Sequence, residues 1–81
     1  MKLSKPQVRI LREIKARGEL YWDSINRRYY FAGNPFRVNA GTVEILYKFE
    51  LVIHTKTERG YATVITERGR AALAEAEGGR G

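Results

Sequence analysis

Residues 52–65 are VIHTKTERGYATVI, and they contain the clearest strand signal in the chain. Two runs rich in β-branched residues, 52–56 and 61–65, flank a polar segment that ends in Gly60. Such runs joined by a short segment with a glycine are typical of a β-hairpin, because glycine permits the backbone of a tight turn. The sequence therefore predicts a hairpin here, and the fold must include strands.

A helix is predicted immediately before this hairpin. Asn39 is its expected N-cap, because an asparagine side chain accepts hydrogen bonds from the first unpaired N–H groups of a helix. The helix is expected to end before Leu51. The residues expected to face inward are Val43, Leu46 and Phe49.

Another helix is predicted after the hairpin, from Glu67 to about Ala76, with Thr66 as its N-cap. A glutamate in the first turn is favourable because it complements the positive end of the helix dipole. The apolar positions form a modest stripe of Ala71, Ala72, Leu73 and Ala76. Residues 78–81, GGRG, are expected to be a flexible tail, so the predicted domain covers residues 1–77.

The N-terminal helix is predicted at Lys5–Arg17. Ser4 and Gln7 have the spacing of a capping box, and Pro6 occupies the first turn, where its missing N–H is harmless. Apolar residues then recur every three or four positions, as in an amphipathic helix. Gly18 is a suitable residue to end it.

Residues 20–31 allow two interpretations. Tyr21, Trp22, Ile25 and Tyr29 have the spacing of one face of a short helix, with Asp23 as its cap. However, the aromatic runs 20–22 and 29–31 favour strands, and the polar segment 23–27 resembles the connection of a hairpin. We predict the hairpin, followed by a turn at residues 33–35, GNP.

Size and composition limit the possible functions. With 81 residues the chain is one small domain with a thin core, which makes a partner chain useful for stability. Cysteine is absent and His54 is the one histidine, so we expect no disulfide, no metal site and no cofactor. No segment approaches the ~20 apolar residues of a membrane span, and no signal peptide is evident. We expect a cytoplasmic protein with no membrane association.

The charge is strongly asymmetric. Fifteen Lys and Arg residues oppose nine Asp and Glu residues, which gives a net charge of +6. Residues 1–40 hold nine basic and three acidic side chains, so the whole excess lies in the first half of the chain. A one-sided positive field favours a polyanionic partner, and nucleic acid is the expected one.

The order of predicted elements is helix, β-rich segment, helix, hairpin with a basic glycine tip, and helix. Two motifs add to this order: TVEIL at residues 42–46 followed by LVI at 51–53, and VITERGRAAL at 64–73. In these features the chain resembles winged helix-turn-helix domains. The second motif is similar to the T-x-x-G-R-x-x-L ending that follows the wing in MarR-like and PadR-like regulators and in small phage or prophage winged-helix proteins.

The resemblance covers residues 4–76 in outline and implies a small α+β winged helix-turn-helix domain. The helix after Asn39 would then lie in the major groove of DNA, and the tip of the hairpin at 52–65 would contact phosphate or the minor groove. One departure matters. If residues 20–31 form a hairpin, the second helix of the usual domain is missing or reduced.

The predicted DNA-binding residues form three groups. The resemblance assigns four to the groove face of the helix: Asn39, Thr42, Ile45 and Lys48. It assigns two to the wing: Lys56 and Arg59. Three arginines are further candidates for phosphate contact: Arg37, just before the helix, and Arg27 and Arg28 in the polar segment of residues 23–28. The alternative for Arg27 and Arg28 is that they only keep an exposed turn soluble.

The predicted function is sequence-specific binding of double-stranded DNA by a small prokaryotic or phage transcriptional regulator, associated with the nucleoid. A homodimer is expected because one recognition helix makes few base contacts. The N-terminal and C-terminal helices are the candidate interfaces. The alternative is a protein-interaction module, for example a phage protein that binds a host factor through exposed aromatic residues such as Tyr30 and Tyr47. RNA binding is a third possibility. We do not expect an enzyme, because no phosphate loop, nucleophile motif or metal cluster is evident.

Overall fold

The computed structural model describes residues 2–58 and 60–78, and for residues 34–37 it describes the backbone alone. Within these ranges the chain forms three α-helices and five β-strands. In chain order they are α1 (Lys5–Arg17), β1 (Leu20–Asp23), β2 (Arg28–Phe31), β3 (Asn34–Val38), α2 (Ala40–Lys48), β4 (Val52–Thr57), β5 (Gly60–Ile65) and α3 (Glu67–Gly78). The fold is therefore α+β.

The strands form one antiparallel sheet in the order β3-β2-β1-β5-β4. Tyr30, Tyr21, Ala62 and Thr55 are paired in one row across the four strands from β2 to β4. Residues paired in one row point to the same side of a sheet, and the next residue along each strand points to the other side. The register thus assigns the residues of β1, β2, β4 and β5 to one of two faces.

The core lies between the helices and the face opposite that row. Its buried apolar residues are Ile10, Leu11, Ile14, Leu20, Phe31, Val38, Val43, Leu46, Leu51, Val52 and Leu73. Thr63 is a buried polar residue on this face, and its Oγ1 is hydrogen-bonded to Nδ1 of His54 at 2.8 Å. The core therefore joins all three helices to the central strands.

Both predicted hairpins are confirmed, and one strand was not predicted. The aromatic runs of residues 20–31 form β1 and β2, so the helical interpretation of this segment is wrong. The expected turn at residues 33–35 is displaced: the chain turns at Ala32 and Gly33, where Gly33 has a φ of +70°, and β3 already begins at Asn34. Because β3 is an edge strand, it tolerates Pro35, which lacks the N–H that a central strand needs.

The helix predictions are confirmed in position, with one error in α2. α1 begins and ends as predicted, and Ser4 and Gln7 form the capping box. In α2, Phe49 is 44% exposed rather than inward-facing. The helix ends at Lys48, and the chain reverses through Glu50, whose φ is +64°. Phe49 is thus the C-cap residue, beyond the last helical residue of α2.

α3 extends to Gly78, and its apolar stripe is less buried than the sequence predicts. Leu73 is fully buried and Ala72 partly buried, whereas Ala71 and Ala76 are exposed. The remaining three residues of the expected tail, 79–81, lie outside the described residues.

The junction between α2 and α3 is closed by hydrogen bonds from Thr66. Its backbone N–H donates to the carbonyl of Leu51 at 3.0 Å, and its Oγ1 donates to the carbonyl of Glu50 at 2.7 Å. The same Oγ1 accepts from the N–H of Gly69 at 2.9 Å, as expected of an N-cap. The start of α3 is thereby held against the end of α2.

The longest helix in the described ranges, α1, has 13 residues. A membrane span needs about 20 apolar residues. None of the helices within residues 2–58 and 60–78 has both the length and the apolar character of a membrane span.

Candidate nucleic-acid interface

Two turns leave the sheet at the same end. β1 and β4 are both antiparallel to β5, so they run in the same direction. Tyr21 and Thr55 lie opposite Ala62, and each strand continues for two residues, to Asp23 and Thr57, before it turns. The β1–β2 and β4–β5 turns therefore lie side by side, about two strand spacings or ~10 Å apart. We call this edge of the sheet the turn end.

α2 starts close to the turn end. β3 runs toward it, and the last residue of β3, Val38, is paired with Tyr29 near the start of β2. Asn39 follows and caps the helix: its Oδ1 accepts hydrogen bonds from the N–H groups of Gly41 at 2.8 Å and Thr42 at 3.3 Å. Asn39 is thus a positioning residue for the helix start, because its side-chain oxygen is already used.

The outer face of α2 is only weakly charged. Val43 and Leu46 are buried in the core, whereas Ile45 is 40% exposed and Lys48 is exposed. Thr42, predicted on the groove face, is partly buried. Glu44 is also exposed, so the two charged residues of α2, Glu44 and Lys48, offset each other. The positive charge of this region must therefore come from the strands and turns beside the helix.

A row of aromatic rings fixes α2 against the sheet. The row consists of Trp22, Tyr29, His54 and Tyr47. The ring centroids of Tyr47 and His54 are 4.5 Å apart and stacked, those of Tyr29 and His54 are 6.4 Å apart, and those of Trp22 and Tyr29 are 4.8 Å apart. Burial, with the negative charge of Glu44, raises the pKa of Tyr29 above its ordinary value. No local sequence pattern indicates this row, because its members come from β1, β2, β4 and α2.

The β4–β5 turn presents Lys56. This lysine is exposed and paired with Tyr61, whose side chain is 64% exposed. The turn is closed by a hydrogen bond from Oγ1 of Thr57 to the carbonyl of Gly60 at 2.8 Å, and Gly60 has a φ of +108°. Arg59, predicted for the wing tip, lies outside the described residues.

The β1–β2 turn is organised by Asp23. Its Oδ1 accepts hydrogen bonds from the N–H groups of Ile25 at 3.0 Å and Asn26 at 3.2 Å, and its Oδ2 accepts one from Nδ2 of Asn26 at 2.7 Å. These bonds hold the pKa of Asp23 below its ordinary value, and the bond from the Asn26 side chain has the largest effect. The positive charge of Arg28 also lowers the pKa. Arg27 completes the turn with a φ of +57°, and both arginines are exposed.

Acidification is expected to loosen the β1–β2 turn. Folding lowers the pKa of Asp23, so the ionised carboxylate stabilises the folded turn. This stabilisation is complete above the ordinary aspartate pKa of about 3.9, and it is lost as the pH falls through the lower pKa of the folded state. The amide resonances of Ile25 and Asn26 should therefore shift together between about pH 6 and pH 2.5 in an NMR titration. In Asp23→Asn this shared shift should be absent. Amide shifts in the native protein that do not move over this range would contradict the prediction.

Much of the positive charge of the first half is on α1 rather than at the turn end. The basic residues of α1 are Lys5, Arg9, Arg12, Lys15 and Arg17. Two of them are in ion pairs: Arg12 with Glu77 of α3, and Arg17 with Glu13 at 2.8 Å. Of the described candidates, Arg27, Arg28 and Lys56 lie at or next to the two turns, and Asn39 lies at the start of α2. Lys48, the last residue of α2, lies instead near Val52 and Ile53, where β4 begins at the opposite end of the sheet.

For Arg37 the structure gives only its place in β3. Among the described residues, no group of three or more His, Cys, Asp or Glu side chains is arranged to hold a metal ion. In comparisons with known proteins, no family model, no curated protein and no solved structure matches the chain.

Proposed function

We propose that the protein binds double-stranded DNA through the turn end of the sheet and the outer face of α2. The observation that carries this proposal is the register of β1, β5 and β4, which brings two turns to one end beside the start of α2. Arg27 and Arg28 lie on one turn and Lys56 lies next to the other. Cations beside a helix with an exposed outer face suit a duplex, because phosphates flank the groove that the helix would enter.

In this proposal the domain is a winged helix in which a β-hairpin takes the place of the usual second helix. The major groove is ~12 Å wide and admits one α-helix. Ile45 is available for contact with a thymine methyl group, and Lys48 for a phosphate or a base edge. Thr42 is a weaker candidate because it is partly buried, and Asn39 holds the helix start. Arg37 and Arg59 would add phosphate contacts.

The biological role that follows is that of a small transcriptional regulator on the nucleoid. A homodimer suits this role, because two copies of α2 would contact two half-sites about one helical turn apart. The two helices proposed as dimer interfaces, α1 and α3, contact each other within one chain through the Arg12–Glu77 ion pair. The exposed alanines of α3, Ala71 and Ala76, are the better candidates for contact with a second copy.

DNA binding is expected to fall steeply as salt increases. Each neutralised phosphate contributes about −0.9 to the slope of log K against log salt concentration. If the four described cations, Arg27, Arg28, Lys48 and Lys56, each contact a phosphate, affinity should fall on the order of a hundredfold between about 50 and 200 mM salt. Fluorescence anisotropy with a labelled random-sequence duplex measures this change. Lys56→Ala and Arg28→Ala should each lower the magnitude of the slope by about 0.9.

Lys15→Ala is the matched control for these variants. It removes the same charge as Lys56→Ala, but from the last turn of α1, which leads into the end of β1 opposite the turn end. It should leave the salt slope unchanged. If Lys15→Ala weakens binding as much as Lys56→Ala, the interface lies on α1 instead. If the native protein does not bind duplex at low salt, the proposed function is wrong.

A protein-interaction module is the second candidate, and one observation favours it. The sheet face away from the helices carries Tyr30, which is 40% exposed, and Ile53, which is 48% exposed. Binding of a protein partner would depend on such apolar side chains and less on salt. This second candidate is favoured if the native protein does not bind duplex but binds a protein partner, and if Tyr30→Ala loses that binding.

A further inference from the structure

Ile25 is the most exposed of the large hydrophobic side chains in the described part of the chain. It is 88% exposed, whereas the next, Tyr61, is 64% exposed. A single exposed aliphatic residue is common on protein surfaces and needs no explanation by itself. Ile25, however, occupies a projecting hairpin turn, where glycine and short polar residues are the usual choice.

The turn presents Ile25 in a fixed orientation. The backbone N–H of Ile25 donates to Oδ1 of Asp23 at 3.0 Å, and the next two hydrogen bonds to Asp23 come from Asn26. A β-branched side chain adds stiffness, because its first torsion has few accessible rotamers. The apolar group is thus held out into solvent with little conformational entropy left to lose on binding.

Charges of both signs lie near this apolar group: Asp23 anchors its turn and Glu58 is exposed in the neighbouring turn, against three described cations. Arg27 and Arg28 follow it in the same hairpin, and Lys56 borders the neighbouring turn ~10 Å away. A shallow depression at this hairpin is lined by Trp22, Asp23, Ser24, Ile25, Arg28 and Tyr30. An apolar tip flanked by arginines matches the way that proteins enter the minor groove, where cations contact phosphates and an apolar wedge separates two base pairs.

We propose that the β1–β2 hairpin is a second wing, which enters the minor groove of the duplex and inserts Ile25 between adjacent base pairs. The insertion partly unstacks one step and bends the DNA toward the major groove. This inference rests on the proposed function, and it adds a specific contact and a change in DNA shape to it. Arg27 and Arg28, which follow Ile25 in the hairpin, contact phosphates beside the wedge.

DNA bending tests this inference separately from DNA binding. A duplex of about 20 base pairs with a donor and an acceptor dye at its ends reports bending as an increase in energy transfer. The native protein should increase the transfer. Ile25→Ala should abolish most of the increase and weaken binding about tenfold, because the buried part of the wedge is lost. Its salt slope should stay the same, because no cation is removed.

Two further variants complete the test. Ile25→Leu keeps an apolar wedge and should retain most of the bend. Ile53→Ala, at an exposed isoleucine of the open sheet face, should bend the duplex as the native protein does. Ile25 lies outside the core, so the unfolding midpoint of Ile25→Ala should match that of the native protein.

The possible failures are distinguishable. If the native protein does not bind duplex at low salt, the proposed function fails and the wedge fails with it. If the protein binds but Ile25→Ala bends DNA as strongly as the native chain, the wedge is overturned while DNA binding stands. If Ile25→Ala changes the salt slope instead of the bend, Ile25 acts only by orienting the neighbouring arginines, and the wedge is likewise overturned.

Discussion

Gly69→Ala is expected to lower the free energy of unfolding by about 3 kcal/mol, although alanine is a better helix former than glycine by about 1 kcal/mol. Gly69 lies in the first turn of α3 and is buried. A Cβ at this position would lie well inside van der Waals contact of the carbonyl oxygen of Leu51, 3.0 Å from the carbonyl carbon, and 2.8 Å from Cγ1 of Ile65. The nearest obstacle is backbone, which has no rotamer by which to move aside.

The Leu51 carbonyl cannot shift without breaking the junction between α2 and α3. It accepts the hydrogen bond from the N–H of Thr66 at 3.0 Å, and Leu51 is itself fully buried. Moving α3 away instead would withdraw Leu73 from the core. Either adjustment removes stabilising contacts in addition to the steric cost, so the strain outweighs the gain in helix propensity.

Gly78→Ala is the matched control for Gly69→Ala. It makes the same chemical change at the other end of α3, where an added Cβ would meet nothing within 4 Å. Its effect should be within about 0.5 kcal/mol of zero, or slightly stabilising. Urea unfolding followed by circular dichroism measures both variants. A loss below about 1 kcal/mol for Gly69→Ala would mean that α3 can move away from Leu51 at little cost.

Gly69 also illustrates what the sequence could predict. The stretch that includes Thr66 and Gly69 suggested a helix start from local signals, and the structure confirms Thr66 as the residue that caps it. Local signals were equally sufficient for α1, whose capping box and Gly18 define both ends. The role of Gly69 against Leu51 depends on a contact between residues distant in sequence, and no local pattern encodes it.

The two wrong predictions, a turn at residues 33–35 and an inward-facing Phe49, have a common physical cause. Pro35 suggested a turn because proline and glycine usually interrupt regular structure, but at a sheet edge the missing N–H costs no ladder hydrogen bond. The sequence has no glycine to mark the end of α2, and Glu50 takes the left-handed conformation there. Phe49 was therefore predicted to face inward with Val43 and Leu46. In both places tertiary structure outweighs local preference.

The individual residues of the candidate site could be predicted from the sequence, but their positions relative to one another could not. Basic residues in turns and a capped helix can be identified from the sequence. That the two turns lie together depends on the pairing of β1 with β5, which joins segments about forty residues apart. The predicted hairpin placed Ile25 in its connecting segment, but it did not predict that the hydrogen bonds to Asp23 leave this side chain 88% exposed.

Phe31→Ala is expected to lower the free energy of unfolding by about 3–5 kcal/mol, the usual cost of removing a phenylalanine from a packed core. Phe31 is 1% exposed and lies at the end of β2, on the sheet face that packs against the helices. The guanidinium of Arg17 lies over its ring, 5.5 Å from the centroid. The side chain therefore links the aromatic hairpin to α1.

Tyr30→Ala is the matched control for Phe31→Ala. It distinguishes a hairpin that belongs to the core from one that only adds surface contacts. Tyr30 is the preceding residue in β2, has a similar ring and faces the opposite, open side of the sheet, where it is 40% exposed. It packs on Tyr21 with ring centroids 5.8 Å apart, so its removal should cost only about 1 kcal/mol. If the two variants lose similar stability, the hairpin is an appendage whose rings stabilise it equally on both faces. A large excess for Phe31→Ala means that the hairpin is part of the core.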